Sequence, residues 1–222
     1  MPIRIPLLQE IQTSLGMAVT PSLTPHSAAS DIYEAYILSL VLDAAKREGA
    51  TISYQDVFGK VPTTFVFRTS PGHLFSRVHP YTHAVLTFPS KPSVEAHIGV
   101  RVFVISKVLH ECDVAVITSD EAETCRQLRV SPRYKNVILA VECKFYACDL
   151  PLHLARSFMG LTKELRSNNR FFVLNIDSLS ATKMLSHHHS HGWEHQVVPA
   201  STVAVERLKN VFQNVFKNYK AT

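Results

Sequence analysis

The sequence predicts an α/β fold, a mixed β-sheet flanked by helices, and three observations carry that expectation. Period-two apolar runs recur between residues 95 and 146, and helical apolar stripes bracket them at 31–48, 149–166 and 201–219. The resulting order of helix, strand hairpin, strand, helix, strand and helix is that of a sheet covered by helices. No internal repeat or low-complexity tract interrupts it. With 222 residues, 46 % of them hydrophobic, the chain can bury a core as one domain. A charged fraction of 18 % excludes a disordered or coiled-coil chain. No apolar run approaches the roughly 18 residues of a membrane span. The first residues lack the apolar segment of a signal peptide, so a cytoplasmic location is expected. A net charge of +5 favours polyanionic partners without identifying one.

In chain order, residues 1–30 hold Pro21, Pro25 and several Ser and Thr, and read as an N-terminal arm with a short helix and a loop. A single domain is expected over 31–222. Its first helix, 31–48, has Tyr33, Ile37, Leu40, Val41 and Ala44 as its stripe. Asp31 and Glu34 stand at capping-box spacing, and Gly49 is the stop. Residues 50–94 contain two strand-like runs, 63–68 and 81–88, among five prolines, and read as an insertion. Between 95 and 105, Ala96, Ile98, Val100, Val102 and Val104 share one face. A turn at Ser106 and Lys107 leads to a strand over 108–117. A polar connection follows to 135, then a strand over 137–146. Asp149 and Pro151 open a helix to about 166. Residues 171–175 and 196–198 read as strands, and residues 183–196 as a His-rich surface loop. Cys112 and Cys143 lie in apolar runs and read as small buried hydrophobes, not disulfide partners.

Two strands carry chemistry. In 108–117, Glu111 and Asp113 fall on the face of Leu109, Ala115 and Ile117. In 137–146, Glu142 and Lys144 share a face although both faces begin apolar, so a carboxylate and an ammonium end a buried strand. Buried charges are costly unless paired or bound to metal. Three carboxylates and a lysine on pairable strands suit metal-assisted phosphodiester hydrolysis. Mg²⁺ takes one or two carboxylates plus phosphate and water, and Asp113 and Glu142 supply such oxygens. Lys144 would orient or help deprotonate the attacking water. A plain salt bridge between Glu142 and Lys144 is the competing reading.

The pattern Asp113 … Glu142-Cys143-Lys144 resembles the PD-(D/E)xK restriction-endonuclease-like superfamily, over roughly residues 31–175. Cys112 stands where that pattern often has Pro. The resemblance implies a restriction-endonuclease-like core and a Mg²⁺-dependent deoxyribonuclease, with Mn²⁺ able to substitute. Its catalytic residues would be Asp113, Glu142 and Lys144. The metal would lie on Asp113, Glu142, the backbone carbonyl of Cys143 and Glu34, the last competing with a capping role. Arg156, on the following helix, would contact phosphate. His97 and Arg101 would line a substrate groove, or be the wet side of the sheet. Double-stranded DNA is the implied partner and a restriction or phage-defence system the implied setting. A homodimer could use Val211, Phe212, Val215 and Phe216, which could equally pack at home. A non-catalytic nucleic-acid-binding protein on a nuclease-like core is the alternative, although all three key positions are filled. A further alternative is a protein that acts through its histidine loop.

Overall fold

The computed structural model describes residues 3–165, 169–188 and 192–222. Helix α1 (Arg4–Leu15) leads through a two-residue strand, β1 (Thr20–Pro21), to α2 (Ala29–Arg47). Strands β2 (Thr51–Asp56), β3 (Thr64–Phe65), β4 (Thr82–Thr87), β5 (Val94–Phe103) and β6 (Leu109–Thr118) follow. Then come α3 (Ser119–Leu128), β7 (Val137–Lys144), α4 (Leu152–Leu165), β8 (Arg170–Leu174), α5 (Leu179–His187), β9 (Gly192–Glu194) and α6 (Thr202–Ala221). Seven strands form one mixed sheet in the order β2-β4-β5-β6-β7-β8-β9. Pairing is antiparallel from β2 to β7 and parallel from β7 to β9. Each parallel step needs a crossover; α4 supplies the first and α5 the second.

Helices cover both faces. β8 displays the alternation that makes this work: Phe171 and Val173 join the core under α1, α2 and α6, while Phe172 and Leu174 pack against α4 and α5. In α6, Leu208, Phe212, Val215 and Phe216 are all buried within the chain, leaving only Val211 of the predicted stripe exposed. That face is spent at home and does not offer the homodimer surface considered from sequence. No helix among the described residues is long and apolar enough to cross a membrane.

Several expectations need correction. The N-terminal segment is no arm: Leu7, Ile11 and Leu15 sit in the main core, and the Ser14 hydroxyl donates to the Ser39 carbonyl of α2 at 3.1 Å. Helix α2 starts at Ala29 with Ala28 as its flanking residue, so Asp31 and Glu34 lie inside the helix and no capping box forms. Residues 50–94 are not an insertion, because β2 and β4 are strands of the main sheet. The polar connection before β7 folds as α3, burying only Glu121, Ala122 and Cys125. The His-rich segment is partly regular, as the end of α5 and as β9. His189 and His191 lie outside the described residues. Residues 196–198 form no strand, since Gln196 has φ +55° and leaves the extended region.

Candidate active site

β5 and β6 pair from Val94↔Thr118 to Phe103↔Leu109, and Gly99 interrupts them with φ +59°. A Cβ there would stand 3.3 Å from the Ser70 carbonyl oxygen, so the backbone angle and the tight approach both favour glycine. The apolar faces change at this point. Ala96, Ile98, Val114 and Val116 belong to the main core, whereas Val100, Val102 and Cys112 join the cluster that holds Ala115 and Ile117. The single valine face expected for β5 is therefore split, and Cys112 leaves the face of Val114.

The β6–β7 ladder runs from Ile117↔Val137 only as far as Val114↔Val141. Past it, Glu142, Cys143 and Lys144 stay paired to β8 alone. Asp113 stands at the fork. Its Oδ2 accepts the Cys143 N–H at 2.7 Å, replacing a ladder bond with a carboxylate. Cys143 thus engages Asp113 through its amide, a contact separate from the carbonyl role that the resemblance implies. The same Oδ2 lies 3.4 Å from Lys144 Nζ, and Glu142 Oε1 lies 2.6 Å from that nitrogen. Both carboxylates therefore converge on one ammonium.

Helix α2 closes the site from above the main-core face, with Tyr33 against Phe145 at 5.5 Å between ring centroids. The next residue, Glu34, is half-buried. Burial and the nearby Asp113 charge push its carboxyl up to about 9. Burial and Asp113 likewise raise Glu142 to about 7, and burial raises Asp113 and Glu111. Lys144 goes the other way. Burial would favour its neutral amine, yet Asp113 and Glu142 hold it above its ordinary range as a cation. Four carboxylates around one ammonium leave the cluster short of positive charge.

No family model, curated protein or solved structure matches this chain.

Divalent-metal chemistry fits the donor set. Asp113 and Glu142 each keep one oxygen outside the contacts above. The Glu34 carboxyl makes no hydrogen bond or ion pair among the described residues, and its raised affinity for a proton marks a place where a cation could be taken up instead. Arg101 is exposed and pairs in register with Glu111, whose carboxyl it partly lowers, so it stands at the edge of the cluster. Arg156 is exposed on α4, and no ion pair ties it to the carboxylates among the described residues.

His97 is placed elsewhere than expected. It is fully buried, with Nε2 3.0 Å from Glu95 Oε2, and lines no groove. The stretch of β5 that carries Glu95 and His97 is covered by α3, whose Arg126 forks onto Glu95 at 2.7 and 2.9 Å. His83 of β4 completes this cluster and was missed, because α3 was not foreseen.

Proposed function

We propose that the chain is a Mg²⁺-dependent nuclease of the PD-(D/E)xK type, hydrolysing phosphodiester bonds in DNA on a restriction-endonuclease-like core. The convergence of Asp113 and Glu142 on Lys144, where β6 and β7 part, carries this reading. Where the ladder opens, the side chains of Asp113, Glu142 and Lys144 keep 10, 21 and 20 % of their surface exposed, which is the approach a phosphate would use. Bound Mg²⁺ would neutralise phosphate charge and acidify water. Asp113 and Glu142 would hold it, and Glu34 would accept a hydrogen bond from one of its waters. The Cys143 amide fixes the orientation of Asp113. Lys144, kept as a cation by its two carboxylates, orients the attacking water and offsets developing negative charge; it is not set up as a base. Arg101 at the rim supports backbone contact with a polyanion, as does the net charge of +5. A place in restriction or phage defence follows from the superfamily resemblance.

The test is nicking of supercoiled plasmid with Mg²⁺, alongside duplex binding measured in EDTA. Wild-type protein is expected to cut. Lys144→Ala and Asp113→Asn should each cut about 10²–10³-fold more slowly, the scale of losing one electrostatic stabiliser, while binding duplex within a few-fold of wild type. Wild-type binding without cleavage in either Mg²⁺ or Mn²⁺ would replace this reading with that of a non-catalytic nucleic-acid-binding protein.

A further inference from the structure

Glu95 and His97 project from β5 on the side away from the main core, and His83 stands one residue beyond the last β4–β5 pair, Ala84↔Ala96. The Nε2 atoms of His83 and His97 lie 3.4 and 3.0 Å from a single oxygen, Oε2 of Glu95. The two rings stack with centroids 4.8 Å apart and planes 20° apart, so their nitrogens approach that oxygen side by side. All three potential ligand atoms lie within 4.8 Å of one another. Ligands about 2.0–2.2 Å from a tetrahedral ion stand about 3.3–3.6 Å from each other, and the two nitrogens lie 3.4 and 3.0 Å from Oε2 here.

Hydrogen bonding alone does not account for the arrangement. His83 is 1 % exposed and His97 0 %. Neither nitrogen of His83 has a hydrogen-bond partner among the described residues, nor does Nδ1 of His97. Buried polar nitrogens are normally paired, and an unpaired one costs stability. We infer that His83, Glu95 and His97 form a second metal site, for a divalent transition ion of the Zn²⁺ class, separate from the carboxylate cluster at Asp113. Two imidazoles and one carboxylate select such ions over Mg²⁺. Arg126 orients the carboxylate, its NH1 donating to Oε2 at 2.9 Å and its NH2 to Oε1 at 2.7 Å. Its charge also opposes a dication, a cost that the three ligands must offset. An open cavity of about 280 Å³, with Asp56, Phe58, Arg77, His83 and Arg126 in its wall, gives it a route in. A bound ion would clip β4 to β5 and, through Arg126, hold α3 on the sheet.

The test strips the purified full chain with chelator, equilibrates it with Zn²⁺ under excess Mg²⁺ and measures the metal kept after desalting. Wild type is expected to keep a single equivalent. So is a variant in which His187, His188, His189 and His191 are all changed to Asn, whereas His83→Asn keeps none. Failure of wild type to keep Zn²⁺, or loss in the four-histidine variant with retention in His83→Asn, overturns the assignment. His83 is buried, so zinc-edge X-ray absorption on wild type gives a readout that does not depend on the variant folding. Two imidazoles at about 2.0–2.1 Å with oxygen completing the shell are expected. An all-oxygen shell, or one with more than two imidazoles, overturns the site.

Discussion

Replacing Glu142 with Gln removes a charge that the fold holds against its own preference. Burial and Asp113 raise this carboxyl from 4.5 to about 7, so the folded chain binds a proton there more tightly than the unfolded chain. An acid raised in this way stabilises the fold at low pH. The stability is full below 4.5, falls as pH rises towards about 7 and then levels off. A shift of that size corresponds to about 3 kcal/mol at pH 8. Lys144 sits 2.6 Å from Glu142 Oε1 and loses a partner in the variant, which makes the figure an upper bound. For a chain of this length, 3 kcal/mol is about 6–12 °C in Tm. Thermal unfolding followed by circular dichroism in EDTA, from pH 4.5 to pH 8, is the assay. Glu142→Gln should be more stable than wild type at pH 8, and the gap should close towards pH 4.5. A variant less stable than wild type at pH 8, or a gap that does not change with pH, would refute the view of Glu142 as a strained member of a cation-poor cluster.

Other consequences are equally direct. Mg²⁺ should raise the Tm of wild type at pH 8 and leave that of the Asp113→Asn/Glu142→Gln double variant unmoved, as differential scanning fluorimetry would record. Gly99→Ala should lower stability by about 1–3 kcal/mol, because it places a side chain at positive φ 3.3 Å from the Ser70 carbonyl, and urea unfolding would measure it. Arg156→Ala should slow cleavage several-fold in the same plasmid assay, since Arg156 is exposed and no ion pair ties it to the carboxylates among the described residues, as a phosphate contact requires; cleavage at the wild-type rate would place α4 away from the substrate. Phe212→Ala should cost about 3–5 kcal/mol in denaturant, as a fully buried ring of α6 packed edge-on against Phe171.

The parts of the fold legible in the sequence were those that bury a continuous apolar pattern. Helices α2, α4 and α6 and strands β5 to β8 came through because their stripes are long and regular. Strand β2 did not, since its alternation of Thr51, Ile52, Ser53 and Tyr54 is only four residues long and lies at a sheet edge, where even Ile52 and Tyr54 are no more than half-buried. Helix α3 buries three residues out of ten and so reads as a polar linker. Missing it hid the second cluster, because Arg126 is what turns Glu95 and His97 from a solvated face into an interior one. The Asp113 site was legible for the opposite reason: charged residues at the end of an apolar strand are conspicuous. The register that unites them was not, because the Asp113 contact with the Cys143 amide depends on where the β6–β7 ladder stops, and no spacing encodes that.

A divalent ion lying between β6 and β7 is what the proposed chemistry requires above all. An anomalous-difference map from a crystal soaked in Mn²⁺ would test it directly. The expected result is a peak about 2.1 Å from carboxylate oxygens of Asp113 and Glu142. A map with density elsewhere, for instance only at His83, Glu95 and His97, and none at Asp113 would contradict it.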